Sequence, residues 1–202
     1  MKLITSLTSP FARKVRVMLA EKKIEFELEL ENPWLVETKV PQVNPLGKIP
    51  VLVLGDGTLL YDSSVIVDYL DNLGNTDRLI PNDFTSRSIV KRWEALGNGI
   101  AEAAANIFLE RKRPASQQSP DWIDRQYQKV RLGLQAASEG LGGQPFCNGE
   151  KFSLADIAIG CALFYLDLRL IDVDWRKEWP NLMALADKLQ KRQSFIDTVP
   201  VI

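Results

Sequence analysis

The sequence predicts a small α/β domain followed by an all-helical one, and three observations carry that reading. Over the first 75 residues the apolar patterning switches between strand-like and helix-like stretches in the order β-α-β, then β-β-α. Beyond residue 83 strand signals nearly vanish and long helical stripes take over. The chain has 202 residues, 46% apolar and 25% charged, which suits one large soluble domain or two small ones. At this length it can bury roughly 70% of its unfolded surface, so no disulfide staples are needed.

Residues 2–6 (KLITS) read as a short strand. After Pro10, the positions Val15, Met18 and Leu19 follow helical spacing, with Arg13, Lys14 and Arg16 on the other side. Pro10 suits the first turn of that helix, and Lys22-Lys23 suit its C-terminal end. Residues 25–31 (EFELELE) alternate strictly, which predicts a half-buried strand. A Pro-rich irregular stretch passes through Pro33, Pro41 and Pro45. Residues 50–54 and 58–61 flank Gly55-Asp56-Gly57, a hairpin signal. Ile66, Tyr69, Leu70 and Leu73 then line one face of a helix that Gly74-Asn75 should end.

Residues 79–83 (LIPND) read as a linker, so the expected division is 1–76, a connection over 77–85, and a helical domain over 86–202. In the second part Ile89, Trp93, Leu96, Ile100, Ala104 and Ile107 form one long stripe. Further helices are expected over 122–141 and 154–168, with a last one marked by Leu182, Leu185 and Leu189.

Composition narrows the chemistry. The chain has no histidine, which excludes Ser-His-Asp and Cys-His triads, His-based zinc sites and a His general base. Cys147 and Cys161 are too few for a four-thiolate metal site and too far apart for a CxxC pair, so no metal is expected. The net charge of −1 argues against nucleic-acid binding. The first residues (MKLITSLTSPFARKVRVML) lack a signal peptide's apolar run, and the longest apolar stretch, residues 157–166, is too short to span a bilayer. A cytoplasmic protein that makes no membrane contact is the expectation.

Four short motifs remain. Thr8-Ser9-Pro10-Phe11 joins the first strand to the first helix; Ser at N-cap with Pro at N1 is a common helix start, and it also puts a hydroxyl where free N–H groups attract an anion. Asn44-Pro45-Leu46-Gly47-Lys48-Ile49-Pro50-Val51 opens the third strand. Most X–Pro bonds are trans, so the residues alone predict trans; a cis bond would turn the Ile49 backbone outward to pair with an extended peptide. Tyr61-Asp62-Ser63-Ser64 reads as an N-cap, or as a clamp in which Asp62 takes an ammonium while Ser63 and the helix end take a carboxylate. Phe152-Ser153-Leu154-Ala155-Asp156-Ile157 is a capping box with a hydrophobic staple, and reads as structural.

Together, in order and across essentially the whole chain, these motifs resemble the cytosolic glutathione S-transferase family, and the SPF wording is closest to its Ser-using, tau-like and small bacterial members. The resemblance implies a thioredoxin-like N-domain with a mixed βαβ-ββα sheet, an all-α C-domain and a homodimer. It implies glutathione as co-substrate and a small hydrophobic electrophile as acceptor, in a detoxifying conjugation. Ser9 then resembles the thiol-activating hydroxyl, Ile49 the residue before a cis-proline, Asp62 and Ser63 the γ-glutamyl clamp, and Lys48 a partner for the glycyl carboxylate. Asp62 departs from the usual Glu or Gln, and Thr5, Ser6 and Thr8 are neighbouring hydroxyls. The acceptor is expected between the domains, near Phe11, Phe108 and Arg111. Two other readings are a non-catalytic module with this fold, as in stringent-starvation proteins and translation-factor subunits, and a thiol transferase, which needs a cysteine where Ser9 stands.

Overall fold

The computed structural model describes residues 1–73 and 76–201. The chain forms two compact units: Met1–Ile80 together with Arg192–Ile202, and Pro81–Lys191. The sequence placed 192–202 in the helical domain; the structure groups this segment with the α/β unit instead.

The first unit runs β1 (Lys2–Thr5), α1 (Pro10–Glu21), β2 (Glu27–Leu30), α2 (Val40–Val43), β3 (Val51–Val53), β4 (Leu59–Leu60) and α3 (Ser63–Asp71). One mixed sheet results, in the order β2-β1-β3-β4. β1 and β2 are parallel, with Leu3 opposite Leu28, and the crossover such a pair requires is α1. β3 runs antiparallel to β1, with Ile4 opposite Val51, and β4 antiparallel to β3, with Leu52 opposite Leu60. Leu3, Val15, Met18, Leu52, Ile66 and Leu70 are fully buried, so the apolar stripes of α1 and α3 and the central strands form the core.

Two expectations change here. The alternation of residues 25–31 gives β2, but Leu28 and Leu30 are 41% and 57% exposed. β2 is an outer strand, and among the described residues the helix between β2 and β3 is the single turn α2, which the proline-rich reading missed. The helix end assigned to Gly74-Asn75 lies outside the described residues; α3 closes at Asp71 with Asn72 as its C-cap.

Buried charges tie this unit together. Lys22 Nζ donates to the carbonyl of Asp71 at 3.1 Å and lies 3.5 Å from its carboxylate. Asp71 in turn accepts the N–H groups of Leu79 and Ile80 at 2.8 and 3.1 Å, so charges removed from water are fully hydrogen-bonded. Near the chain's end, the turn α9 (Gln193–Ile196) returns to α1. Arg192 grips Glu21 with bonds of 2.9 and 2.7 Å, and Arg13 donates to the Phe195 carbonyl at 3.1 Å.

The second unit contains α4 (Phe84–Arg111), α5 (Pro120–Leu141), α6 (Leu154–Arg169), α7 (Trp175–Glu178) and α8 (Pro180–Leu189), with a 3₁₀ turn at Ala115–Gln117. α4 packs on both α5 and α6. Its approach to α6 is close: a Cβ on Gly97 would lie 2.8 Å from the backbone carbon and oxygen of Ala158. α6 begins with the capping box, in which Ser153 Oγ accepts from Ala155 N at 3.3 Å and Asp156 accepts from Ser153 N at 2.9 Å. Asp156 also takes the Cys147 N–H at 2.7 Å. Burial nevertheless raises its carboxyl above the ordinary value, against the pull of these hydrogen bonds.

Candidate active site

The sheet topology brings three loops to one end of the first unit. β1 ends there at Thr5, β3 begins there after Pro50, and β4 ends there before α3, because Ile4 pairs with Val51 and Leu52 with Leu60. Ser9, Ile49 and the Asp62-Ser63 pair stand on these loops.

Ser9 is the N-cap of α1: its backbone is extended and its Oγ accepts from Ala12 N at 3.3 Å. That bond uses a lone pair, and among the described residues no acceptor takes the hydroxyl proton. The hydroxyl therefore stands beside the positive end of a 12-residue helix with a donor still to place. Thr5, one of its neighbours, is fully buried and donates to the Ser6 carbonyl at 3.1 Å.

The loop before β3 is built around Asn44, which is 2% exposed. Its Oδ1 accepts from Leu46 N at 3.0 Å and its Nδ2 donates to the Lys48 carbonyl at 2.7 Å. Its carbonyl accepts from Gly47 N at 2.9 Å, and Gly47 takes a positive φ of 62°, a conformation that favours glycine. The Ile49–Pro50 bond is cis, where the residues alone predicted trans. Ile49 is half-buried, and among the described residues its N–H and C=O have no partner. Lys48 is exposed.

Asp62 is the exposed N-cap of α3 and accepts from Ser64 N at 2.9 Å through one carboxylate oxygen. The Tyr61–Asp62 bond is also cis. Ser63 is 2% exposed, yet among the described residues its hydroxyl makes no hydrogen bond. Sequence reasoning named these positions but missed Asn44 as the residue that shapes the loop. Its signal was an Asn directly before a Pro-x-Gly turn.

The expected acceptor residues belong to different units. Phe11 is half-buried in the first turn of α1. Phe108 and Arg111 stand on the last turns of α4. Arg111 pairs with Asp172 at 3.4 Å and lies 5.4 Å from the Tyr127 ring centroid. Tyr127 donates to the same carboxylate; burial first, then that bond, pushes its hydroxyl up to about 12, so it stays protonated at neutral pH. Among the described residues no cluster of His, Cys, Asp or Glu is arranged to hold a metal ion, and no helix is long and apolar enough to cross a membrane.

Comparison with known proteins gives the same family over both units. Residues 8–73 match the model of the glutathione S-transferase N-terminal domain, and residues 120–187 that of its C-terminal domain. The chain is 38% identical over 200 residues to the GST-like protein YibF of Escherichia coli (strain K12), covering 99% of this chain and 98% of that one. A glutathione S-transferase from Methylobacillus flagellatus, solved with GSH bound, superposes with a TM-score of 0.96 at 48% identity, covering 99% of each chain. One from Methylobacterium radiotolerans, in complex with glutathione sulfonate, gives 0.95 at 41% identity over all of this chain and 95% of that one.

Proposed function

The chain belongs to the glutathione S-transferase family, and from that premise we propose that it binds glutathione and conjugates it to a small hydrophobic electrophile. Ser9 holds the sulfur as a thiolate. The observation that carries this is the uncommitted hydroxyl proton of Ser9 at the N-terminus of α1. A free thiol has a pKa near 8.5, so only about 3% is thiolate at pH 7. A shift of about two units needs about 2.7 kcal/mol. One hydrogen bond to the anion contributes about 1.5–3 kcal/mol and the helix end up to about 1 more, so no histidine is required.

The thiol proton leaves to solvent and Ser9 only donates. The thiolate then attacks the acceptor carbon, forming the C–S bond as the leaving group departs with its electron pair or as an activated double bond takes the electrons and later a proton. Ile49 offers its N–H and C=O to the cysteinyl unit, in the manner of an added strand. Asp62 takes the γ-glutamyl ammonium through the oxygen not used for capping, while Ser63 and the α3 N-terminus take its carboxylate. Lys48 faces the glycyl carboxylate. Phe108 and Arg111 on the helical unit are assigned to the acceptor. The same reading takes the protein to be a cytoplasmic homodimer without a metal cofactor.

The GSH and glutathione sulfonate held by two similar structures support the choice of ligand. Both cysteines are buried in the helical unit, which disfavours a thiol transferase. Titration calorimetry with glutathione tests the reading: millimolar or tighter binding is expected, and no heat of binding at that range contradicts it. Turnover with a panel of electrophiles separates a transferase from a binding module of the same fold.

A further inference from the structure

Phe108 and Arg111 at the end of α4, Lys112 and Arg113 just beyond it, and Arg169 at the end of α6 form a group whose pairing is uneven. Arg111 has Asp172 at 3.4 Å, and Arg113 has Glu110 at 3.3 Å. Lys112 and Arg169, by contrast, have no carboxylate within salt-bridge distance among the described residues. Both instead lie over the ring of Phe108, with Arg169 Cζ 4.1 Å and Lys112 Nζ 4.5 Å from its centroid. A ring face attracts one cation by about 0.5–2 kcal/mol, but it does not neutralise two that repel each other.

Arg169 adds a second, independent observation. Its Nε is buried and has no hydrogen-bond partner among the described residues. The protein's own atoms close off that N–H, and the half-buried residue meets solvent through its two Nη groups. The hydroxyl of Tyr165, which is 7% exposed, borders the same guanidinium. The arrangement supplies paired Nη donors, a point charge and an apolar ring face, and among the described residues no carboxylate completes it. A carboxylate fits: the two Nη groups of Arg169 suit its two oxygens and Lys112 supplies a non-directional charge.

We propose that Phe108, Lys112 and Arg169 form an anion subsite on the helical unit, and that the electrophile this protein takes carries a carboxylate beside its apolar reacting part. The first half stands on the helical unit alone; the second rests on the transferase reading. Equilibrium binding of para-nitrobenzoate and of nitrobenzene, its neutral counterpart, tests both. The carboxylate should bind the full-length protein at least tenfold more tightly than nitrobenzene. Arg169→Gln and, at an exposed position that leaves the fold undisturbed, Lys112→Gln should each bring that ratio towards one while nitrobenzene binding stays the same. Arg113→Gln should leave the ratio unchanged. Equal affinity for the two probes, binding of neither, or a ratio that survives both variants overturns the subsite. Conjugation of glutathione to a chlorodinitrobenzene is measured in parallel. Preference for the carboxylate without turnover upholds the subsite and contradicts the transferase reading; turnover without preference does the reverse.

Discussion

Asn44 holds the carbonyl of Lys48 at 2.7 Å through its buried side-chain amide, and so fixes the course of the chain into Pro50. The other end of the same amide takes the Leu46 N–H at 3.0 Å. One side chain thus closes both sides of a turn that presents the unpaired backbone of Ile49. Replacing it by Ala removes two part-buried hydrogen bonds, which costs about 0.5–1.5 kcal/mol for each. Asn44→Asp keeps the acceptor and loses the donor. Calorimetry is expected to show glutathione bound roughly tenfold more weakly by both variants, with Ser9 still able to depress the thiol pKa of what binds.

Glu21 and Arg192 give a pH-dependent prediction. Burial alone would raise the Glu21 carboxyl, but the hydrogen bonds from Arg192 and Ser194 and the nearby guanidinium charge outweigh it, and the net shift is below the ordinary value of 4.5. A carboxyl with a lowered folded pKa stabilises fully above its unfolded value, and that contribution fades as pH falls through the folded value. Urea unfolding should therefore show Glu21→Gln less stable than the parent by about 1.5–3 kcal/mol at pH 7. The gap should shrink steadily as the pH falls below 4.5.

Two glycines of α4 should respond in opposite ways to alanine. Gly97 faces Ala158, where a new Cβ would meet backbone atoms at 2.8 Å, so Gly97→Ala should destabilise by about 1–3 kcal/mol or more. Gly99, two residues on, has nothing within 4 Å. There the higher helix propensity of alanine should stabilise by about 0.5–1 kcal/mol. Thermal melts of the two variants check both signs.

What could be read from the sequence was local. Ser9, Asp62 and Ser153 are all N-caps, and a cap is announced by the residue type and the pattern that follows it within one turn. The stripes of α4, α5 and α6 were equally plain, because a periodicity sustained over many residues leaves little choice. Partner choice over long distances was not legible. Nothing near Arg192 announces that it will grip Glu21, 171 positions away, and so the return of the last segment to the α/β unit was missed. The alternation around β2 told which side chains share a face, but not whether any helix would cover Leu28 and Leu30. The cis isomer at Ile49–Pro50 was likewise not legible in the residues themselves, and only the family resemblance anticipated it.

The role of Ser9 is open to a direct measurement: the pH titration of the thiol of bound glutathione, in the parent and in Ser9→Gly. Glycine is a serviceable N-cap and sacrifices only a few tenths of a kcal/mol, so this variant removes the hydroxyl while leaving α1 in place. The bound thiol should titrate roughly two units below the free value of about 8.5 in the parent, and return close to that value in Ser9→Gly. The same depressed titration in both proteins would contradict the assignment of Ser9 as the group that stabilises the thiolate.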